Sequence, residues 1–159
     1  LKERVILIFF TLFGICATAY SFRKPPYKEL VIVFLLKATI SSFTDQMVVN
    51  RRYLSYPIRY FPKTFKTSIL FDYLLFPWAC VFYYQVTKNC SFKGWINKVI
   101  LFIIPLSITE LFILKKTKLL RFKKWNILMT VISEMVICIF IRGFMGLLRR
   151  VDRDEIMDR

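Results

Sequence analysis

Histidine is absent from the 159 residues. Without imidazole there is no Ser-His-Asp triad, no HExxH zinc site and no His-ligated haem. Glycine is nearly as scarce: Gly14, Gly94, Gly143 and Gly146 are scattered, which excludes a glycine-rich phosphate loop. Gly143 and Gly146 also miss the GxxxG spacing of close helix dimers. Cys16, Cys80, Cys90 and Cys138 form no CxxC pair and read as isolated packing thiols. The expectation is a non-catalytic protein with no cofactor and no metal. The route left to an enzyme is hydrolysis by two carboxylates sharing a proton, and Asp72 lacks the glycine neighbours that such sites usually carry.

Acidic residues are the remaining scarcity, 10 against 25 Lys and Arg, for a formal net charge of +15. Yet 57% of the chain is hydrophobic and 18% aromatic. A makeup this oily folds in lipid rather than in water. Five apolar segments are each long enough to cross a bilayer, at 5–22, 30–49, 68–86, 95–114 and 125–148. Their Leu, Ile, Val and Phe show no alternation of polar and apolar positions, so barrel strands are excluded and helices remain. Breaks are well marked: Arg23-Lys24-Pro25-Pro26, Arg51-Arg52, Lys88-Asn89 and Lys115-Lys116. No internal repeat occurs, so an inverted-repeat transporter has no support. The expected fold is all-α, a single membrane domain over 1–159 built as a bundle of about five helices.

The first segment carries a competing reading. Lys2 and Arg4 precede its apolar stretch and Ala17-Thr18-Ala19 offers a small-x-small site, the pattern of a cleaved signal peptide. Continuation through Tyr20 to Phe22 favours an uncleaved span. Lys and Arg are slightly more abundant in the N-terminus, the second loop and the fourth loop than on the other side, which favours an N-terminus-inside orientation.

Depth singles out the candidate site. Between Leu30 and Arg150 every carboxylate, namely Asp45, Asp72, Glu110 and Glu134, falls inside an apolar segment. At 1.5 Å per residue, Asp45 lies about 9 Å from Arg51, Asp72 about 9 Å from Lys66, and Glu110 about 7 Å from Lys115. Glu134, about 15 Å in from Lys124, approaches the midplane, and Lys37 is the deep cation able to meet it. Alternating helix direction therefore gathers the acids into one half of the bilayer. Ionisable groups at such depth are costly and commonly face a bundle interior or polar cavity. Lys37, Asp45, Asp72, Glu110 and Glu134 are expected to form a polar pocket or a proton or cation path. The competing expectation is structural: the shallower acids snorkel to Arg51, Arg52, Arg59 or Lys116, and polar pairs lock helices together.

The loop over 115–124 is a basic turn with Leu and Phe dipping toward the acyl chains, and that over 50–67 interleaves bases with aromatics. In a soluble protein that mixture suggests single-stranded nucleic acid. Between two spans it is better read as an interface with lipid: Tyr at headgroup level, and Arg51, Arg52, Arg59, Lys63, Lys115, Lys116, Lys123 and Lys124 against anionic headgroups. Membrane lipid is thus the expected partner, without nucleic acid. Five helices enclose little interior, so association with a second copy or other membrane proteins is expected too.

Tyr56-Pro57-Ile58-Arg59, then Lys66-Thr67-Ser68, Phe71-Asp72-Tyr73, Phe76-Pro77 and Cys80 resemble a family of small multi-pass membrane proteins from spore-forming Firmicutes. The resemblance runs from about Lys24 to Arg150, takes in the Glu110 span with Thr117-Lys118-Leu119-Leu120, and departs after Trp125. It implies an integral bacterial membrane protein with four or five helices, and brings no activity, substrate or catalytic residue with it; the cytoplasmic membrane is the expected location. The function expected is that of a structural or interaction subunit, with a small ion, proton or solute conduit as the alternative.

Overall fold

Long apolar runs closed by charge or proline become helices. The computed structural model describes residues 2–117 and 119–157, without the side chains of Phe92, Ile96, 113–116, Phe122 and 152–157. The elements are α1 (Lys2–Ser21), α2 (Tyr27–Asn50), a two-residue strand β1 (Leu54–Ser55), a π-helical turn (Phe71–Leu75) leading into α3 (Phe76–Thr87), α4 (Phe92–Lys116), a second short strand β2 (Arg121–Phe122) and α5 (Ile127–Met157). This is an all-α integral membrane bundle. Four helical stretches, Lys2–Ser21, Tyr27–Asn50, Lys93–Phe112 and Ile127–Val151, are long and apolar enough to cross a bilayer. Large apolar side chains such as Leu12, Leu101 and Leu147 stay more than half exposed. Hydrocarbon is the solvent in which such faces carry no penalty.

The segment expected as a third span, 68–86, differs from the other four. It is helical from Ile69 to Thr87 but widened over Phe71–Leu75, where the Phe76 amide bonds the Phe71 carbonyl. Pro77 supplies the reason. It has no amide to give the Tyr73 carbonyl and its ring crowds that oxygen, so the preceding turn opens from α to π geometry. The regular α3 that follows has 12 residues.

Helix α3 is the central element. It packs against α1, α2 and α4, and α2 and α4 in turn meet α5. One core cluster joins Leu30 and Val33 of α2 to Val81 and Tyr83 of α3, Val99 and Ile103 of α4, and Ile141 and Met145 of α5. A second lies under the loops, where Leu7, Leu70 and Leu75 meet Leu54, Tyr56, Leu119 and Leu120.

Gly14 sets the approach of α1. A Cβ there would stand 2.6 Å from Leu74 Cδ2 and 2.7 Å from its Cγ, so a side chain must either displace Leu74 or push α1 away. Gly14→Val should destabilise the protein by about 1–3 kcal/mol through overpacking, read as a lower melting temperature in detergent. An unchanged melt would show that α1 is held elsewhere.

Two loops meet at one end of the bundle. Leu54 pairs with Phe122 and Ser55 with Arg121, antiparallel. The Tyr53 carbonyl accepts the amides of Lys123, Lys124 and Trp125 at 3.0, 3.1 and 3.2 Å. The turn into this region uses Arg52 at φ 59°. Its amide bonds the Val49 carbonyl and that of Tyr53 the Val48 carbonyl, the paired closure that glycine ordinarily provides at a helix end.

Candidate functional site

The site begins with two polar stripes at helical spacing. On α2, Lys37, Ser41 and Asp45 recur every fourth residue and so share one face. On α5, Thr130, Glu134, Cys138 and Arg142 do the same, and all four are buried. The stripes meet at Lys37, whose Nζ lies 2.6 Å from Glu134 Oε2. Lys37 is wholly buried, with its ammonium 5.6 Å from the centre of the Phe76 ring. A charge this deep is tolerable because its partner is equally fixed.

Asp72 reaches the same place from the π turn. Thr67 and Ser68 open that helical segment, with the amides of Phe71 and Asp72 both on the Ser68 carbonyl at 3.1 Å, so Asp72 sits near the positive end of the helix dipole. It is fully buried, and neither of its oxygens has a partner within hydrogen-bonding geometry, although the Thr67 hydroxyl and the Asp45 carboxyl are its neighbours. Asp45 Oδ2 is likewise unpartnered and lies beside the Tyr56 hydroxyl.

These groups enclose a polar cavity of about 40 Å³. Its wall carries Asp45 from α2, Asp72 from the π turn, Glu110 from α4 and Glu134 from α5. Leu54 and Tyr56 of one loop and Trp125 of the other form the roof. The volume suits about two or three water molecules with several polar partners each. The structure thus brings together all four acids singled out by depth, with Lys37 joined to them through Glu134.

The basic loop residues divide. Arg51, Arg52, Lys63, Lys123 and Lys124 are exposed at the roofed end. Arg59 folds back on its own loop: Nε donates to the Phe65 carbonyl at 2.6 Å, Nη1 to that of Tyr56 at 2.6 Å and Nη2 to that of Pro62 at 2.9 Å. Its donors shape the loop while the side chain stays half-exposed at the same end. The side chains of Lys115 and Lys116 lie outside the described residues.

A second polar centre, missed in the sequence, occupies the other end of α3. Arg142 Nη2 donates to the Thr87 and Lys88 carbonyls at 3.2 and 3.1 Å, and its guanidinium lies 5.5 Å from the centre of the Tyr84 ring. Arg149 clamps Glu29 with Nε to Oε1 at 3.0 Å and Nη2 to Oε2 at 2.6 Å, while the Tyr84 hydroxyl donates to the same Oε2 at 2.5 Å. Cations here meet the negative end of the α3 dipole. The signal available was the four-residue recurrence from Thr130 to Arg142, which depth counting from Lys124 did not use.

Helices fit to span a bilayer, closed at one end over a carboxylate chamber and at the other by arginines, define a polytopic membrane protein with a buried polar site. No family model, curated protein or solved structure matches the chain.

Proposed function

We propose that the protein is a non-catalytic, multi-pass component of the bacterial cytoplasmic membrane whose carboxylate chamber binds and exchanges a proton or small cation. The observation that supports this most is Asp72: wholly buried beside the Asp45 carboxyl and the Thr67 hydroxyl, and facing a cavity that three further acids share. A purely structural role accounts for Lys37 with Glu134. It does not account for Asp72 and Asp45, because two carboxyls buried side by side destabilise a bundle that packed leucines would hold better. The acids outnumber the one lysine beside them and supply the oxygen acceptors that a proton or small cation needs. Resemblance to membrane proteins of spore-forming Firmicutes agrees with a bacterial membrane, and the exposed bases of the roof suit anionic lipid.

A second reading has its own support. The Lys37–Glu134 and Arg149–Glu29 pairs tie α2 to α5 at two levels, as in a structural or interaction subunit. Water access separates the two. In a cysteine-free background, Ser133→Cys places a thiol on the chamber wall, and silver ion, a thiol-reactive cation small enough for a cavity of about 40 Å³, should react with it at a rate within about tenfold of a loop thiol at position 63, since cation entry is rapid into a wetted acidic cavity. Asp72→Asn should slow the reaction several-fold without lowering the melting temperature. Complete resistance of the thiol at position 133 would return the acids to a sealed structural role.

A further inference from the structure

A second and larger cavity, about 580 Å³, opens toward the lipid between α1 and α4. Phe10 and Phe13 form one wall, Phe102 and Leu106 the other, and Trp78 part of the floor. Its volume is that of a ligand site rather than a packing defect. Along α4 it runs from Leu101 to Glu110, about 14 Å at the helical rise, close to the depth of one leaflet's hydrocarbon.

The end of that run carries its information. Glu110, Tyr56 and Phe76 line both this groove and the carboxylate chamber. An apolar trough one leaflet deep therefore ends on a wall whose other side holds Asp45, Asp72 and Glu134. We propose that the groove seats the hydrocarbon chain of a bilayer amphiphile whose primary ammonium head passes Glu110 and Tyr56 into the acid chamber. The proposal deepens the cation-binding reading of the chamber and rests on it. Charge selects the occupant. The carboxyl oxygens of Asp45, Asp72, Glu110 and Glu134 line one wall, so they accept from an ammonium and oppose a carboxylate or phosphate head, and a purely apolar guest would leave them without a donor. A chamber of about 40 Å³ admits an ammonium with a water or two and excludes a large polar head.

The experiment uses the full chain in detergent micelles with two photoreactive probes of equal chain length, stearylamine and stearic acid each carrying a mid-chain diazirine, and mass spectrometry to map the sites. The amine should label groove residues such as Phe102 and Leu106 about tenfold more than the acid does, and unlabelled stearylamine should compete. Leu106→Trp, which fills the groove without touching the chamber, should abolish amine labelling while leaving the thiol at position 133 as reactive as before; if that variant fails to insert, Phe9→Trp on the opposite wall is read in the same way. Asp72→Asn with Glu110→Gln should erase the preference for amine over acid. Equal labelling by both probes, or labelling indifferent to Leu106→Trp, overturns the proposal and leaves an ordinary lipid-facing surface. A thiol at position 133 closed to the cationic reagent defeats the chamber reading and this one with it, whereas a reactive thiol with no amine labelling of the groove defeats the lipid assignment alone.

Discussion

Lys37→Met should be the most damaging single substitution in the chain, costing about 3–5 kcal/mol, the loss expected when one partner of a buried ion pair is removed. Lys37 is fully buried and 2.6 Å from Glu134, and its charge also reaches Asp45 and Asp72. Without it, four acids share one small cavity with no lysine beside them. Glu134→Gln should cost less, because the ammonium can turn toward Asp45 or Asp72, whereas Glu134 has no second cation of that kind among the described residues. The double change Lys37→Met with Glu134→Leu should recover most of the loss by removing both charges. Thermal unfolding in detergent and the yield of inserted protein measure the series. A double variant no better than Lys37→Met would show that the pair is not the reason the lysine is needed.

The second large effect belongs to the opposite end of the bundle. Arg142→Met takes a charged donor from the Thr87 and Lys88 carbonyls and should cost about 1.5–3 kcal/mol. Arg142→Lys should recover less than half of that. An ammonium can reach a carbonyl, but it cannot also lay a planar cation on the Tyr84 ring. The loss should appear as faster amide exchange over the last turn of α3 and a lower melting temperature. Full rescue by lysine would reduce the contact to simple charge.

Depth arithmetic was enough to find the acids because a helix advances by a fixed rise and the basic loops mark where the lipid ends. Lys37 was legible as the partner of Glu134 for the same reason. The carbonyls that Arg59 bonds were not legible, since a guanidinium between prolines and tyrosines looks the same in sequence whether or not it folds its own loop. Arg142 sits near the end of an apolar run, where a cation ordinarily snorkels outward, and sequence does not show that carbonyls of another helix draw it in. Nor could the 3.6-residue period place Asp72, because the π turn adds a residue and rotates everything before it relative to α3.

Composition and spacing by themselves determined that the chain is helical and membrane-embedded, roughly where its helices start and stop, and which ionisable groups lie deep, since all of these depend on local hydropathy and on one rise per residue. Tertiary structure decided that acids from α2, the π turn, α4 and α5 line one cavity, that two loops join to roof it, and that a lipid-facing groove ends on its wall. Those facts depend on how each helix is rotated about its axis and on which neighbour it meets. Close packing settles both among distant residues, and no local stretch of sequence records them.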